Sequence, residues 1–228
     1  MTSIMLPSTS IALKICGITK ADQALKIASM GVNAIGLIGV KSSARYVHEK
    51  KRREIFNLLE HNFRNIERVW VVANLEAAEI EKGLVGIGSP SAVQLHGNES
   101  LEYCQKMKNK HPKICWWKAF RIREESDLLE VSKYEKTVDV LLLDAWSDSA
   151  LGGTGKKIPL NLLSATNFQI PWWVAGGISG ESVGEILSKT KPYGIDASSK
   201  LEISPGTKNI EKVAFLIESI KKIYKNNN

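Results

Sequence analysis

Short runs of apolar and β-branched residues alternate along the chain with longer stretches in which apolar residues recur every three or four positions. The short runs have the length and composition of buried strands, and they lie at 12–18, 34–40, 68–75, 92–97, 115–122, 139–145, 171–177 and 194–200. Amphipathic helical patterns lie between many of them, at 20–31, 48–61, 99–111, 180–191 and 209–224. A strand–helix unit repeated about eight times predicts an α/β fold with a closed parallel sheet, the (β/α)8 TIM barrel, in preference to an open doubly wound sheet.

No linker or low-complexity segment divides the chain, and its 228 residues fit one domain. We therefore expect a single barrel domain over 11–224, with an N-terminal tail at 1–10 and a frayed tail at 225–228. The connection "WSDSALGGTGKKIP" after the sixth strand is long and glycine-rich for a loop between a strand and a helix.

The composition is that of an ordinary globular protein, with 43% hydrophobic and 24% charged residues. No apolar run is long enough to cross a bilayer, and the first ten residues lack the basic start and apolar middle of a secretory signal. The three cysteines have no CxxC spacing, which argues against a disulfide framework and a structural zinc site. These features predict a protein of the reducing cytoplasm.

The formal net charge of +7 is compatible with an anionic metabolite, a nucleic acid or an acidic membrane surface. Much of the excess lies in "HEKKRRE", "KMKNKHPK" and "KKIYKNNN", and such runs are usually solvated helix faces. No basic segment is interleaved with aromatic residues in the way that stacks bases. We therefore expect neither a nucleic-acid nor a membrane partner.

Residues that can take part in binding or catalysis lie at the ends of the predicted strands, where barrels of this kind carry their active sites. They are Cys16, Arg45, His96, Asp144, Gly176, Gly177 and Asp196. Because the fold itself would bring these positions together, their coincidence is worth more than any one of them alone.

Lys14 and Cys16 lie two positions apart in the first strand and therefore share a face. An ammonium beside a thiol favours the thiolate, so we expect a lowered cysteine pKa and a base near working pH. The alternative is a small buried hydrophobic residue, which is what free cysteines usually are. Cys104 and Cys115 have no such setting and are expected to be structural.

Asp144 ends a run of leucines in "DVLLLDA". Apolar surroundings raise the pKa of a carboxyl group, so this residue can hold a proton and deliver it as a general acid. An equally open alternative is a structural aspartate that accepts hydrogen bonds from loop amides.

Glycine-rich and serine-rich loops follow the sixth, seventh and eighth strands. Barrels frequently bind phosphate in the loops after strands seven and eight, and tight turns are the alternative. The "GGTGK" segment lacks the spacing of a Walker motif but offers further amides. The candidate positions are Gly153, Gly155, Gly176, Gly177, Asp196, Ser198 and Ser199.

Arg45 follows the second strand, and its guanidinium can bind a carboxylate through two parallel hydrogen bonds. Gln94 and His96 share a face of the fourth strand and should point inward. His96 is either a metal ligand or a hydrogen-bonded barrel histidine. The second is favoured, because no other histidine or acidic pair lies near it at metal-ligand spacing.

Several of these segments, taken in order, resemble the phosphoribosylanthranilate isomerases. They are "LKICGIT", "SARYV", "VQLHGNE", "LLLDA", "GGTG", "VAGGI" and "GIDASSKLEISPGTKN". The resemblance spans nearly the whole chain and implies a (β/α)8 barrel that performs an Amadori rearrangement in tryptophan biosynthesis without a metal or organic cofactor. It implies an anionic phosphosugar substrate, with Cys16 as general base, Asp144 as general acid and Arg45 holding a carboxylate. The amides around Gly176, Gly177, Ser198 and Ser199 would hold the phosphate.

Four positions depart from the family pattern. Ala44 stands where proline is usual, and Lys200 stands where glycine is usual. A lysine would strain the loop if the backbone there had a positive φ. Ser182 and Asn209 replace an expected asparagine and aspartate at helix starts, which capping chemistry tolerates.

Other functions remain open at this stage. Indole-glycerol-phosphate synthase would need a catalytic lysine and glutamate at strand ends, and a pentose-phosphate epimerase would need metal ligands; neither set is evident. A non-catalytic phosphosugar-binding module would not need Cys16 and Asp144. We expect a monomer or a homodimer.

Overall fold

The computed structural model of the chain describes residues 11–145, 160–164 and 166–225. Eight parallel strands form a closed barrel in sequence order, and the last strand pairs with the first. This confirms the predicted (β/α)8 fold. The strands are β1 (Ala12–Cys16), β2 (Ala34–Ile38), β3 (Glu67–Val72), β4 (Ala92–Leu95), β5 (Cys115–Ile122), β6 (Val140–Ala145), β7 (Trp172–Ala175) and β8 (Gly194–Ala197).

Helices follow the strands and cover the outside of the barrel. They are α1 (Ala21–Ala28), α2 (Glu49–Asn62), α3 (Ala77–Leu84), α4 (Leu101–Lys110), α5 (Glu125–Ser132), α6 (Leu160–Leu163), α7 (Val183–Lys189) and α8 (Ile210–Lys225). The sequence pattern did not predict α3, α5 and α6. α6 has only four residues, and α3 and α5 bury two residues and one residue respectively, so no apolar periodicity stands out in them.

The strands divide the core into two parts, because successive side chains point to opposite faces of a strand. Ala12, Val69 and Leu142 belong to a cluster inside the barrel. Ile15 and Val93 belong to a larger cluster that packs between the sheet and the helices. The outer face is therefore continuously apolar, while the inner face has room for polar side chains.

Polar side chains occupy part of the barrel interior. Lys14 and Gln94 are almost completely buried, and Asp144 and Asp196 are nearly so. Beneath them the Trp117 ring lies 5.6 Å from Lys14 Nζ. Buried polar groups need hydrogen-bond partners, so these side chains bond to one another, and their contacts define the site described below.

The chain between β8 and α8 forms an element that the sequence did not predict. β8 ends at Ala197, earlier than the predicted 200, and a 3-10 helix (Ser199–Leu201) follows. Two short antiparallel strands then form a hairpin, β9 (Glu202–Ser204) and β10 (Thr207–Lys208). This hairpin brings charged residues back to the end of the barrel at which the strands terminate.

The glycine-rich connection after β6 lies outside the described residues, and so do the candidate positions Gly153 and Gly155. Across the described residues, no helix has the length and apolar character needed to cross a membrane.

Candidate active site

Cys16 is the last residue of β1, and its side chain is buried in the barrel interior. Gly36 is its partner in β2, and a Cβ at that position would come within 2.7 Å of Cys16 Sγ and 3.1 Å of Lys14 Cε. The missing side chain of Gly36 therefore provides the space that the thiol and the lysine occupy.

Lys14 lies inside the barrel on the same face as Cys16, as the sequence predicted. Its Nζ donates hydrogen bonds to Asp196 Oδ2 at 2.6 Å and to Gln94 Oε1 at 2.9 Å. Burial lowers the pKa of Lys14, but the neighbouring Asp196 carboxylate and Cys16 outweigh it and raise the pKa above 10.5. Lys14 is therefore a permanent cation in the wall of the site.

The expected lowering of the Cys16 pKa is wrong. Burial raises the pKa of the thiol above its usual 9.0, and the Asp196 charge adds to this effect, while Lys14 and Lys208 oppose it without prevailing. Lys14 is a neighbour of Cys16 in the sequence, whereas the Asp196 carboxylate that opposes its effect reaches the site from β8. The surroundings of Cys16 therefore favour the thiol over the thiolate.

Asp144 occupies the end of β6 and is about as buried as Cys16. Its Oδ2 lies 3.6 Å from His96 Nε2. His96 Nδ1 in turn lies 2.8 Å from Gln94 Nε2. The structure therefore brings Asp144 of β6 together with Gln94 and His96, which the sequence placed on the fourth strand.

Asp196, in β8, connects the two halves of this cluster. It forms the ion pair with Lys14, and its charge raises the pKa of Cys16, while Asp144 and His96 both influence the pKa of Asp196 itself. Burial raises the pKa of Asp196, although Lys14 partly opposes the shift. Its second oxygen, Oδ1, is buried and has no hydrogen-bond partner among the described residues, so it is a free acceptor.

Arg45 lies near the site, but its guanidinium already forms hydrogen bonds within the protein. Nε and Nη2 donate to the Glu202 carboxylate, with distances of 2.7–3.1 Å. Lys208 Nζ donates to the same carboxylate at 2.8 Å. The sequence predicts that Arg45 holds a carboxylate, and the carboxylate that it contacts here is that of Glu202. The sequence motifs did not identify Glu202 or Lys208, for which the signal is a pair of opposite charges on either side of the "SPG" turn.

The Glu202 cluster is buried and keeps its charges. Burial would raise the pKa of Glu202, but the hydrogen bonds and charges of Arg45 and Lys208 outweigh it and lower the pKa below 4.5. The hydrogen bonds to Glu202 raise the pKa of Arg45. The result is a fixed guanidinium whose Nη1 makes no hydrogen bond among the described residues.

The loops after β7 and β8 are neighbours, because these strands pair directly. Gly176 and Gly177 both have positive φ, at 96° and 68°, which turns the backbone sharply after β7. The backbone N–H groups of Gly176, Gly177, Ser198 and Ser199 have no hydrogen-bond acceptor among the described residues. Such a set of free amides can hold an anion.

Ser198 and Lys200 belong to the segment that follows β8. The Ser198 hydroxyl donates to the Cys16 carbonyl at 3.0 Å, which ties the loop to the strand that carries the thiol. Lys200 lies in the 3-10 helix, and its φ is not positive. The strain considered for a lysine at this position therefore does not arise.

The remaining cysteines and metal-binding groups lie elsewhere or do not cluster. Cys104 lies in α4 and Cys115 begins β5, at the opposite end of that strand from the site. Within the described ranges, no group of three or more histidine, cysteine or acidic side chains is arranged to hold a metal ion.

A closed (β/α)8 barrel with a thiol, a carboxyl group, a fixed cation and free amides at the carboxyl ends of its strands defines a barrel enzyme. Residues 13–219 match the sequence profile of a family described as "N-(5'phosphoribosyl)anthranilate (PRA) isomerase". The chain belongs to the N-(5'-phosphoribosyl)anthranilate isomerase family. It is an isomerase of tryptophan biosynthesis.

Individual relatives agree with this assignment. The chain is 42% identical to the N-(5'-phosphoribosyl)anthranilate isomerase of Thermosynechococcus vestitus over 219 residues, which cover 95% of this chain and 94% of the relative. The crystal structure of phosphoribosyl anthranilate isomerase from Thermotoga maritima superposes with a TM-score of 0.83 at 28% identity, covering 93% and 99% of the two chains.

A further solved isomerase of this family is a complex with reduced 1-(o-carboxyphenylamino)-1-deoxyribulose 5-phosphate. It has a TM-score of 0.79 and 26% identity, with coverage of 93% of this chain and 99% of that chain. The family resemblance drawn from the sequence motifs is thus confirmed.

Proposed function

We propose that the chain converts N-(5'-phosphoribosyl)anthranilate into 1-(2-carboxyphenylamino)-1-deoxyribulose 5-phosphate, with Asp144 as general acid and Cys16 as general base. The observation that carries the proposal is the single buried cluster around Asp196, whose carboxylate interacts with both groups. A proton donor and a proton acceptor on one substrate must lie within reach of the same small volume.

The first step opens the sugar ring. Asp144 gives its proton to the ring oxygen, the bond between that oxygen and C1 breaks, and the anthranilate nitrogen lone pair forms a C=N bond to C1. The Schiff base that results carries the positive charge that makes the C2 proton acidic.

In the second step Cys16, as thiolate, removes the proton from C2, and the electron pair moves through C1 to nitrogen to give an enolamine. Cys16 then returns the proton to C1, while the C2 hydroxyl proton returns to Asp144. The product is the ketose, and both groups regain their starting states. Electrons only redistribute within the substrate, so the reaction needs no redox cofactor.

The environment of Cys16 supports this role even though burial favours the thiol. Lys14 interacts with the sulfur and lies on its face of the barrel, so an ammonium is in place when the thiolate forms. The reaction uses the form of the site with the proton on Asp144 and the charge on Cys16.

The substrate's two anionic ends match the cations and free amides of the site. Arg45 Nη1 is available for the anthranilate carboxylate, and the amides of Gly176, Gly177, Ser198 and Ser199 suit the phosphate. Asp196 Oδ1 is placed to accept a sugar hydroxyl. Gly153 and Gly155 stay predicted contributors from the sixth loop.

The experiment is a fluorescence assay of phosphoribosylanthranilate consumption with Cys16→Ala and Asp144→Asn beside the parent. Each substitution should lower kcat by at least roughly a hundredfold, because each removes a proton-transfer group. Cys115→Ala and Asp139→Asn are matched controls at positions away from the site, and they should retain parental kcat. Parental turnover in Cys16→Ala or Asp144→Asn would contradict the roles.

The same variants separate catalysis from mere binding. A non-catalytic phosphosugar-binding module would bind the ligand and show no turnover in the parent.

We further propose that the protein acts in the cytoplasm as a monomer or homodimer. Light scattering of the purified protein distinguishes the two oligomeric states. The absence of nucleic-acid binding is checked by a mobility-shift assay.

A further inference from the structure

A series of buried polar side chains connects Lys14, which lies beside Cys16, to Asp144. Lys14 Nζ contacts Gln94 Oε1 at 2.9 Å, Gln94 Nε2 contacts His96 Nδ1 at 2.8 Å, and His96 Nε2 lies 3.6 Å from Asp144 Oδ2. Lys14 is fully buried and Gln94 is 1% exposed. Because water has little access to these atoms, the donors and acceptors must match one another directly.

Lys14 fixes the orientation of the Gln94 amide. An ammonium has only donors, so the side of Gln94 that faces Lys14 must be the carbonyl oxygen. The ammonium is itself held by Asp196, which accepts from it at 2.6 Å. The NH2 group of Gln94 is thereby directed at His96.

The orientation of Gln94 then fixes the tautomer of His96. The amide NH2 is only a donor, so the Nδ1 atom that it contacts must be an acceptor. A neutral imidazole that accepts at Nδ1 carries its proton on Nε2. Nε2 is buried and has no other hydrogen-bond partner among the described residues, and the Asp144 carboxyl group lies in front of it.

We propose that Lys14 and Gln94 are positioning residues that hold His96 as the Nε2–H tautomer, so that His96 donates to Asp144 as its carboxylate forms during ring opening. The inference rests on the proposed function of Asp144. The separation of 3.6 Å is slightly longer than a hydrogen bond, so a small side-chain shift brings the Nε2–H group into contact with the carboxylate that the first step leaves. His96 thus stabilises the negative charge that the first step creates.

The tautomer is measured directly by long-range proton–nitrogen NMR on protein labelled with ¹⁵N-histidine. The chain contains only four histidines, and the His96 signals are those missing from His96→Gln. We expect a protonated Nε2 and an unprotonated Nδ1 in the parent. A parent in which Nδ1 carries the proton would overturn the proposal.

Gln94→Glu is the variant designed to reverse the arrangement. Its carboxylate has nearly the shape of the amide and still accepts from Lys14, but toward His96 it offers an acceptor instead of a donor. Nδ1 should therefore become protonated, and kcat should fall roughly tenfold or more with a smaller change in KM. An unchanged Nδ1 signal together with parental kcat would overturn the proposal.

A pair of substitutions at His96 tests the donor itself. His96→Met removes the N–H, and we expect kcat to fall roughly ten- to a hundredfold. His96→Gln places an amide N–H near the former Nε2 and should recover most of that loss. Equal kcat in these two variants would overturn the donor role, since a packing role would not distinguish them.

Controls separate this proposal from the proposed function. His61→Gln alters an exposed histidine of α2 and should leave kcat and the His96 signals unchanged. Asp144→Asn reports on the general acid alone. If it keeps parental turnover, the proposed function fails, whereas the NMR result still decides whether Lys14 and Gln94 set the tautomer.

Discussion

Cys16 is the residue whose environment differs most from what its neighbours in sequence suggest. Two lysines act on its sulfur, yet burial and the Asp196 charge keep the pKa of the thiol above 9.0. A lysine two positions away is visible in the sequence, but the carboxylate that faces it comes from the other end of the chain. The net electrostatic effect at a buried site is therefore set by residues distant in sequence.

We predict that the alkaline limb of the pH–rate profile belongs to Cys16. The productive form holds one proton between Cys16 and Asp144, and ionisation of the thiol beyond that point leaves no proton for the ring oxygen. Because burial raises the thiol pKa, kcat/KM should stay level up to about pH 9 and decline above it.

The measurement is kcat/KM against pH, together with a titration of thiolate ultraviolet absorbance in the parent minus Cys16→Ser. Burial raises the pKa of Cys104 to about 12 and that of Cys115 well above its usual value, so neither interferes. A thiolate midpoint near neutral pH would contradict the prediction.

The hairpin β9–β10 is the element that holds Arg45 in place. It contributes Glu202 and Lys208, whose side chains are buried against the guanidinium. The arginine itself follows β2, far away in the sequence. The cation that we propose for the substrate carboxylate is thus held by an element that contributes no expected contact to the substrate.

We predict that Glu202→Gln destabilises this arrangement. The variant should raise KM roughly tenfold with a smaller effect on kcat, and lower the free energy of unfolding by about 1–3 kcal/mol at pH 7. Titration calorimetry with a product analogue measures the weakened binding, and thermal unfolding measures the loss of stability. Glu211→Gln, at the start of α8, is the matched control, and we expect it to match the parent.

The same substitution gives a pH dependence of defined sign. The folded-state pKa of Glu202 lies below 4.5, so its ionised form stabilises the fold above the unfolded value, and this contribution is lost as pH falls through the folded value. The difference in Tm between parent and Glu202→Gln should therefore narrow below about pH 4. A constant difference from pH 7 to pH 3 would contradict the assignment.

The barrel strands could be predicted from sequence because burial on both faces gives them continuous apolar runs. Cys16, Asp144, His96 and Asp196 could be found because they end or interrupt those runs. Glu202 and Lys208 could not, since charged residues near a Ser-Pro-Gly turn are common on protein surfaces. The tautomer of His96 also depends on contacts between β1 and β4 that no local pattern encodes.

The whole molecule carries a formal charge of +7, and part of this charge lies at the catalytic end of the barrel. Arg45 and Lys208 lie in the site, and the exposed Lys200 lies in the adjacent loop. We expect these cations to attract a substrate that carries both a carboxylate and a phosphate.

We predict that kcat/KM falls by roughly threefold or more when salt is raised from low to about 0.5 M, with little change in kcat. Added ions screen the long-range attraction, whereas the buried proton-transfer groups are less accessible to them. Steady-state kinetics in sodium chloride, with sucrose of equal osmolality as control, measure the effect. Equal values at all salt concentrations would contradict it.

The junction of β1 and β8 has a consequence for the synthesis of the protein. The ion pair between Lys14 and Asp196 spans 182 positions, so a chain still emerging from the ribosome lacks the anion that restrains Lys14 until its final strand is added. We therefore expect turnover only from a chain that includes β8, and a product terminated before that strand should be inactive.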